Sequence, residues 1–247
     1  ELEHIRMYGL RNRCRICDND KLIKVVSFGS TPLANDLLSQ SELNRKEEFF
    51  PLEWLYCNQC HLCQLSYVVH PEKMFKKYLY VTSTTESFNK HFGEMAQSLT
   101  RDLNLNNNSL VVDIGSNDGL MLSKFKELGI KTIGVEPAEN IAEIARKKGV
   151  NTINDFFNKD VVKAILNLEG KADVISATNV FAHVPDIDDL TNNVKSLLKD
   201  DGTFVIEVQY LLDTLQQTTF DNVYHEHVSY FGVLSLNNFF NKIIDAE

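Results

Sequence analysis

The sequence predicts an α/β fold built on a parallel sheet, preceded by a small domain that a metal ion holds together. Two observations support this prediction. From about residue 110 onwards, short apolar segments alternate with stretches of helical periodicity, which is the pattern of βαβ units. All five cysteines lie in the first quarter of the chain, four of them in two C-x2-C pairs. With 247 residues, 43% of them hydrophobic, the chain is long enough for one large domain or two small ones.

Composition argues against several classes of protein. The 25 basic and 34 acidic side chains give a formal charge of -9, which disfavours nonspecific binding to nucleic acid. No apolar run approaches the length of a bilayer span, and no signal-peptide pattern opens the chain. An odd number of cysteines fits metal-bound thiols in a reducing compartment better than a secreted disulfide framework. We therefore predict a cytoplasmic protein with no nucleic-acid or membrane partner.

The two cysteine pairs predict a structural zinc site. Cys14 and Cys17 form one C-x2-C pair, and Cys57 and Cys60 form the other. Each pair can bind one side of a tetrahedral Zn²⁺, and four protein ligands close the site to substrate. Cys63 is a spare thiol that could replace one of the four. The residues up to about 75 read as short segments broken by turns, so we expect the metal to hold this region together.

Three other interpretations of the cysteines remain open. The run from Cys57 through Cys60 to His61 matches the C-x-x-C-H signature of c-type haem attachment, but haem would leave the first pair unexplained. A redox C-x-x-C requires a thioredoxin-like βαβ context, which neither pair has. The cysteines could also be buried and inert.

The remaining chain is predicted as one long helix followed by a series of strands and helices. The segment from Tyr78 to Leu105 is predicted to be helical, because four apolar residues recur at spacings of three and four: Phe88, Phe92, Met95 and Leu99. The strands are predicted at 110–114, 132–135, 151–153, 172–177 and 203–208. The helices between them are predicted at 120–128, 141–148, 161–168 and 189–198.

A glycine turn follows the first of these strands. Gly115 allows a sharp turn, and Gly119 allows the helix to approach a ligand closely. About 20 residues later the second strand ends at Glu136, whose carboxylate can accept both ribose hydroxyls. Asn117 stands where a dinucleotide fingerprint has its second glycine, which disfavours NAD. Asp113 suits a ligand with an ammonium or sulfonium group, so the pattern favours S-adenosylmethionine (SAM). An ordinary βα turn without a ligand remains the alternative.

Chemistry-bearing residues also follow the later strands, where open α/β sheets bind their ligands. Phe156 follows the third strand and could stack on adenine, and His183 follows the fourth. The most unusual segment is Tyr224-His225-Glu226-His227. It could supply acid/base chemistry, a structural hydrogen-bonded cluster, or a 2-His-1-carboxylate metal site. In an extended stretch Glu226 would point away from both histidines, which argues against the metal. For His183 alone, a structural and a catalytic role are equally compatible with the sequence.

In combination these motifs resemble one family, the SAM-dependent sugar C-methyltransferases that act at C3 of dTDP-linked 4-keto deoxysugars. The likeness is carried by the paired cysteines, Tyr78-Leu-Tyr80, the loop 114–119, Gly134-Val-Glu-Pro137, Asn179-Val-Phe-Ala-His183 and 224–227. The resemblance implies a class I SAM-methyltransferase Rossmann-like sheet over 106–247, a zinc-binding domain over 7–75 and a helical linker over 76–105. It also implies a sixth strand of the sheet beginning at Ile243–Glu247, with the rest of the sheet and a third domain beyond Glu247. We therefore expect the chain to be part of a longer protein.

The resemblance also implies roles for individual residues. A base removes the proton at C3 of a nucleotide sugar, and the enolate carbon attacks the methyl group of SAM. His227 matches the base, with Tyr224 and Glu226 beside it, while His183 and Tyr78 match further active-site residues. The predicted cofactor-binding residues are Asp113, Gly115, Asn117, Gly119, Glu136, Pro137, Phe156 and Asn179. A SAM-dependent O- or N-methyltransferase, or a zinc-containing binding module with a vestigial SAM fold, remains the alternative function.

Overall fold

The computed structural model describes residues 8–76 and 78–244, which form two compact units. Within the described residues, the first unit comprises 8–74, 181–187 and 208–244. The second comprises 75, 76, 78–180 and 188–207. The sequence-based domain boundaries at 75 and 105 stay predictions. They differ from these units, because two later segments group with the N-terminal one.

The strands in chain order are β1 (Gly9–Leu10), β2 (Leu22–Thr31), β3 (Phe50–Cys57), β4 (Cys63–Leu65), β5 (Tyr67–Val68), β6 (Leu110–Ile114), β7 (Lys131–Val135), β8 (Thr152–Ile153), β9 (Ala172–Thr178), β10 (Leu198–Glu207) and β11 (Ser229–Tyr230). The α-helices are α1 (Pro71–Phe75), α2 (Glu86–Asp102), α3 (Leu120–Glu127), α4 (Glu139–Lys147), α5 (Lys159–Leu168), α6 (Ile187–Leu197), α7 (Leu211–Gln216) and α8 (Val233–Ile244). None of the helices in the described part of the chain is long and apolar enough to cross a membrane.

The second unit contains a five-stranded parallel sheet in the order β10-β9-β6-β7-β8. Every residue of β6 is buried, as expected for a central strand that helices cover on both faces. The chain runs from β6 to β7 on one side and later returns to β9 on the other. The order therefore reverses at β6, and the carboxyl end of β6 is the topological switch point at which such sheets bind ligands.

The order of helices and strands in this unit was predicted correctly, and most of the predicted element ends are within one or two residues. The last strand is the exception, because β10 already begins at Leu198 and includes residues 199–202, which were predicted to separate it from the preceding helix. The long helix was predicted to begin too early, since α2 starts only at Glu86. Residues 78–85 form an irregular segment with a short 3-10 turn at Thr82–Thr84. The predicted spacing within the helix is confirmed, because Phe88, Phe92 and their neighbours along the same face pack against the core that includes Val111 and Phe125.

The first unit is more regular than the sequence suggested. Its N-terminal region was predicted to contain only short segments, but β2 has 10 residues and β3 has 8. They belong to an antiparallel sheet in the order β11-β4-β3-β2. Trp54 and Leu65 are fully buried in its core beside Tyr230. Because β11 pairs with β4, the segment after residue 207 packs with the N-terminal sheet.

The sequence also suggested a sixth strand of the parallel sheet beginning at Ile243. In the structure Ile243 lies in the last turn of α8, so that expectation was wrong at this position. The apolar residues near the end of the chain continue the helical periodicity of α8 rather than a strand alternation. Residues 245–247, which the same prediction included, lie outside the described residues.

Candidate functional site

The loop between β6 and α3 adopts a conformation that ordinary residues avoid. Gly115 has φ +63° and Gly119 has φ +76°, and Asn117 between them has φ +48°. A Cβ atom at Gly115 would lie 2.5 Å from Cγ2 of Val180, so both the backbone and the packing require glycine there. At Gly119 a Cβ would lie 2.8 Å from Val150, which shows that this glycine also serves the packing of the loop.

Glu136 is held by the backbone on both of its carboxylate oxygens. Oε2 accepts a hydrogen bond from the N–H of Asn117 at 2.9 Å, and Oε1 accepts one from the N–H of Ala138 at 2.8 Å. Burial raises the pKa of Glu136, and these two hydrogen bonds oppose the rise. The carboxylate at the end of β7 is therefore linked directly to the glycine loop at the end of β6, and each oxygen keeps lone-pair capacity for a ligand hydroxyl.

Asp113 is the only acid of β6 and is almost fully buried. Its Oδ1 accepts a hydrogen bond from Oγ of Ser176 on β9 at 2.7 Å. Burial raises the pKa of Asp113 to about 7, with a smaller contribution from the charge of Glu136. A cation beside this carboxyl group would stabilise its ionised form, which is the expected behaviour of a site for an ammonium or sulfonium group.

A crevice opens beside these groups, with about 400 Å³ of space between its walls, part of it open to solvent. Its lining residues come from the 80–92 segment, from the loop after β6 with the start of α3, and from the end of β9: Tyr80, Thr82, Phe88, Phe92, Asp113, Gly115, Ser116, Asn117, Leu120, Met121, Thr178 and Asn179. The acid, the glycine backbone and the aromatic wall fit a nucleoside with a cationic end, so the donor set is compatible with SAM.

Four predicted cofactor-binding residues lie in this lining: Asp113, Gly115, Asn117 and Asn179. Four others, Gly119, Glu136, Pro137 and Phe156, are not among the described residues that line it. Two of these four, Glu136 and Pro137, are bound by Asn154, which directly follows β8. Nδ2 of Asn154 donates to the carbonyl oxygens of Glu136 and Pro137 at 2.8 and 3.1 Å. The binding roles of all eight stay predictions.

Two asparagines hold the irregular segment 78–82 in place. The side chain of Asn117 accepts a hydrogen bond from the N–H of Thr82 at 2.9 Å and donates one to the carbonyl of Tyr80 at 3.0 Å. Asn140 on α4 donates from Nδ2 to the carbonyl of Tyr78 at 2.8 Å. The side chain of Asn117, predicted to bind cofactor, is therefore occupied in positioning this segment. Asn140 was not predicted, because an exposed asparagine on a helix carries no distinctive sequence signal.

Asn179 follows β9 with φ +56°, and Glu207 holds it at two points. Its N–H donates to the carbonyl of Glu207 at 2.8 Å, and its Nδ2 donates to Oε1 of Glu207 at 3.2 Å. The other oxygen of Glu207 lies 2.6 Å from Nε2 of His91 on α2. Neither His91 nor Glu207 was predicted, since they are 116 residues apart in sequence and meet only through the fold.

The four predicted zinc ligands form one group. All four Sγ atoms lie within 4.8 Å of one another, with 3.3 Å between Cys14 and Cys60 and 3.5 Å between Cys17 and Cys57. Four sulfurs about 2.3 Å from a tetrahedral zinc would lie roughly 3.8 Å apart, so the group fits that ion. Among the described residues it is the only such group of potential metal ligands. The structure thus brings both cysteine pairs together, which the haem interpretation did not explain.

Cys63 does not belong to this group. It lies on β4 opposite Tyr230 of β11 and is buried. Burial raises the pKa of its thiol to about 12, so it remains protonated at neutral pH and is a poor metal ligand. The spare cysteine therefore serves the core of the first unit.

The segment 224–227 is a turn and not the extended stretch that the sequence suggested, because the N–H of His227 donates to the carbonyl of Tyr224 at 3.0 Å. Its side chains diverge. Glu226 accepts a hydrogen bond from Nδ2 of Asn35 at 2.5 Å, and Nε2 of His225 donates to the carbonyl of Phe50 at 3.2 Å. Because these side chains diverge, His225, Glu226 and His227 do not form a metal site in the described part of the chain.

His227 has a defined tautomer. Its Nδ1 lies 2.8 Å from the carbonyl oxygen of Asn222, which can only accept, so Nδ1 carries the hydrogen. Nε2 is therefore left with a lone pair, and it faces the hydroxyl of Tyr224 at 3.0 Å and Nε2 of Gln209 at 3.4 Å. Gln209 and Asn222 were not predicted, because they reach His227 from outside the recognisable motif.

Burial keeps this cluster neutral. It lowers the pKa of His227, and the hydrogen bond to Asn222 opposes the effect only in part. The ring of His183 lies 4.9 Å from that of His227, and burial together with that neighbour lowers the pKa of His183 to about 3. Burial raises the pKa of Tyr224, and the negative charge of Glu226 adds to the rise. At neutral pH the cluster thus offers a neutral imidazole as proton acceptor and a neutral phenol as hydrogen-bond donor.

Together, the parallel sheet, the glycine loop at its switch point and the acid after the next strand define a class I SAM-dependent methyltransferase fold. Residues 88–243 match the family described as "Methyltransferase domain", and residues 14–75 match the family described as "Putative zinc binding domain". The chain belongs to this methyltransferase family, and its cofactors are SAM and, at the four cysteines, structural zinc.

Individual relatives support this assignment. The chain is 39% identical over 240 residues to C-methyltransferase NovU of Streptomyces niveus. The matched region covers 96% of this chain and 57% of that protein. It is 24% identical over 151 residues to a ubiquinone biosynthesis O-methyltransferase of Bartonella tribocorum, covering 55% of the chain and 59% of that protein. The chain thus spans less than two thirds of the length of these relatives.

A solved structure shares the fold. The crystal structure of a SAM-dependent methyltransferase from Archaeoglobus fulgidus superposes with a TM-score of 0.50 at 20% identity, covering 64% of this chain and 72% of that one. This likeness concerns the fold alone. It agrees with the α/β prediction made from the sequence.

Proposed function

We propose that the protein containing this chain is a SAM-dependent C-methyltransferase that methylates C3 of a dTDP-linked 4-keto deoxysugar. Similarity over nearly the whole chain to a protein named as a C-methyltransferase supports the coarser part of this proposal. The motifs that resemble the sugar C-methyltransferase family support the nucleotide-sugar substrate.

The observation that carries the proposal is the tautomer of His227. Transfer to carbon requires a base that removes a C–H proton, and Nε2 of His227 is a buried lone pair fixed by the bond from Nδ1 to Asn222. Only 4% of this residue is exposed, so water competes poorly for the lone pair. An O- or N-acceptor, whose own lone pair attacks, has less need of such a base.

Proton abstraction also requires stabilisation of the product enolate. A ketone at C4 acidifies the C3–H bond, but each unit of pKa mismatch between carbon acid and imidazole still costs about 1.4 kcal/mol. A donor aimed at the developing oxyanion is typically worth about 3–4 kcal/mol. The hydroxyl of Tyr224 lies 3.0 Å from Nε2 of His227. When the substrate C–H bond faces Nε2 instead, this hydroxyl is the proposed hydrogen-bond donor to the enolate oxygen.

The other predicted residues fit supporting roles. His183 is a neutral imidazole beside His227, and Glu226 is anchored by Asn35. Tyr78, on the segment held by Asn140, remains a proposed active-site residue of the second unit. Asp113, Glu136 and the glycine backbone are the proposed cofactor-binding groups. When bound, SAM supplies the electrophilic methyl group to the enolate carbon.

The proposal is tested by hydrogen exchange in deuterated water without SAM. The full protein should catalyse deuterium uptake at C3 of a dTDP-4-keto deoxysugar, measured by NMR or mass spectrometry. His227→Gln should lower that rate about 100-fold or more, the usual range for a lost general base. His225→Gln is the matched control, because His225 lies in the same turn but bonds the carbonyl of Phe50.

The outcomes separate the candidate functions. Exchange that survives His227→Gln would remove His227 as the base. No exchange by a wild-type protein that binds SAM and methylates oxygen or nitrogen would replace the proposal by the O- or N-methyltransferase. Absence of SAM binding at millimolar concentration would favour the binding module.

A further inference from the structure

A buried arginine lies inside the first cysteine pair. Arg15, between Cys14 and Cys17, is only 7% exposed, although arginine is almost never buried without a specific partner. Both terminal nitrogens of its guanidinium group find partners, and both partners are backbone carbonyls of the first unit. The side chain therefore points away from solvent and across the N-terminal sheet.

The partners of Arg15 connect it to the turn that carries His227. Nη1 donates to the carbonyl of Val228 at 2.7 Å, and Nη2 donates to the carbonyl of Leu65 at 3.3 Å. The Val228 carbonyl also accepts from the N–H of Leu65 at 3.0 Å. Val228 follows His227 directly, so the guanidinium holds the backbone carbonyl one residue after the proposed base.

The other end of this link is equally well anchored. The N–H of Arg15 donates to Oε1 of Gln64 at 2.9 Å, and Nε2 of Gln64 donates to the carbonyl of Arg13 at 3.0 Å. Gln64 is fully buried in the central part of the sheet. A further bond runs from Nδ2 of Asn238 on α8 to the carbonyl of Cys60 at 3.3 Å.

The zinc site would favour a cation at this position. Cysteines bind zinc as thiolates, so four of them with one Zn²⁺ carry a net charge of -2. A buried guanidinium is tolerated where hydrogen bonds and an opposite charge compensate its loss of hydration. Arg15 follows Cys14 directly and is two residues from Cys17. Both of its terminal nitrogens have hydrogen bonds in the structure, and the loaded site would supply the opposite charge.

We propose that Arg15 is a positioning residue that ties the Cys14–Cys17 pair to the turn bearing His227, and thereby holds Nε2 of His227 in its reactive place. The zinc-binding region would then contribute to catalysis and not only to folding. The catalytic consequence rests on the proposed function, whereas the coupling between Arg15 and the His227 ring does not.

The test uses the full zinc-loaded protein labelled with ¹⁵N-histidine. His227 is assigned by comparison with His227→Gln, and its ring nitrogen shifts and titration are followed by NMR. Arg15→Gln should shift or broaden the His227 signals and lower kcat about 100-fold with KM little changed, as expected when a catalytic group moves by about 1 Å. Zinc content and SAM affinity should stay as in the wild type, and Arg15→Lys, which keeps one donor arm, should restore part of both effects.

Arg13→Gln is the matched control, because Arg13 is the same residue type nearby but its side chain is 50% exposed and pairs with Asp18. Arg15→Met fills a similar volume without a buried charge, so it keeps the test decisive if Arg15→Gln does not fold. His227 signals and kcat equal to those of Arg13→Gln, in either folded Arg15 variant, would overturn the proposal. The two proposals can fail separately. If the His227 ring is displaced in the Arg15 variants but the wild-type protein shows no hydrogen exchange at C3, the link from Arg15 to His227 is supported and the proposed function is refuted.

Discussion

Replacing Gly115 by alanine tests whether the loop at the end of β6 is built as the structure shows. Two costs are expected at this position. A Cβ atom in the left-handed region costs roughly 1–2 kcal/mol, and Gly115 has φ +63°. The new Cβ would also lie 2.5 Å from Cγ2 of Val180, and overpacking of this kind typically costs about 1–3 kcal/mol. The free energy of unfolding should therefore fall by about 2–5 kcal/mol.

A second glycine separates the two contributions. Gly129 also has a left-handed backbone, φ +81°, but nothing lies within 4 Å of a Cβ built on it. Gly129→Ala should lose only the backbone contribution, so the two variants should differ by the packing cost of about 1–3 kcal/mol. Urea unfolding, followed by circular dichroism with and without SAM, measures this difference.

Removing the obstacle should restore part of the loss. In the double variant Gly115→Ala/Val180→Ala the overlapping methyl group is gone, so the two substitutions should couple favourably by about 1–3 kcal/mol. Gly115→Ala should also weaken SAM binding more than Gly129→Ala does, and the double variant should recover part of the affinity, because the backbone of the loop lines the crevice. Equal destabilisation by Gly115→Ala and Gly129→Ala, with no coupling to Val180, would refute the packing argument.

Two further predictions concern the cofactor and the metal. SAM affinity, measured by calorimetry, should rise with pH between 5.5 and 7.5, because burial raises the pKa of Asp113 to about 7 and the bound cation favours its ionised form. Well below pH 7 the affinity for SAM should change about tenfold per pH unit, and Asp113→Asn should remove this dependence. A pH dependence that survives the substitution would show that Asp113 is not the titrating group. Cys60→Ser should abolish stoichiometric zinc, whereas Cys63→Ser should retain it, since only Cys60 belongs to the four-sulfur group. Metal analysis of the purified variants decides, and zinc loss in Cys63→Ser would contradict the assignment.

Much of the second unit could be predicted from local sequence. The apolar run Leu110–Ile114 is buried along its whole length, and such a run between polar breaks is the signal of a central parallel strand. The alternation of strands and helices restricts the chain to a few topologies, because crossovers between parallel strands are right-handed. Glycine positions and the acid after β7 were recognisable for the same reason: each reports a local backbone or ligand requirement.

The start of α2 could not be predicted in this way. The apolar spacing around Phe88 and Phe92 is genuine, but residues 78–82 are bound by the side chains of Asn117 and Asn140. These tertiary hydrogen bonds override the local helical preference, which amounts to only a few tenths of a kcal/mol per residue. No window of sequence contains both partners.

The sequence by itself determined the class of fold, the four zinc ligands and the SAM-type loop, because each depends on residue type at short spacing. The tertiary structure alone decided that β11 pairs with β4, that Asn222 fixes the tautomer of His227, and that Arg15 binds the carbonyl of Val228. Arg15 and Val228 are 213 residues apart in sequence. Contacts at such separations depend on how whole elements pack, and periodicity carries no information about them.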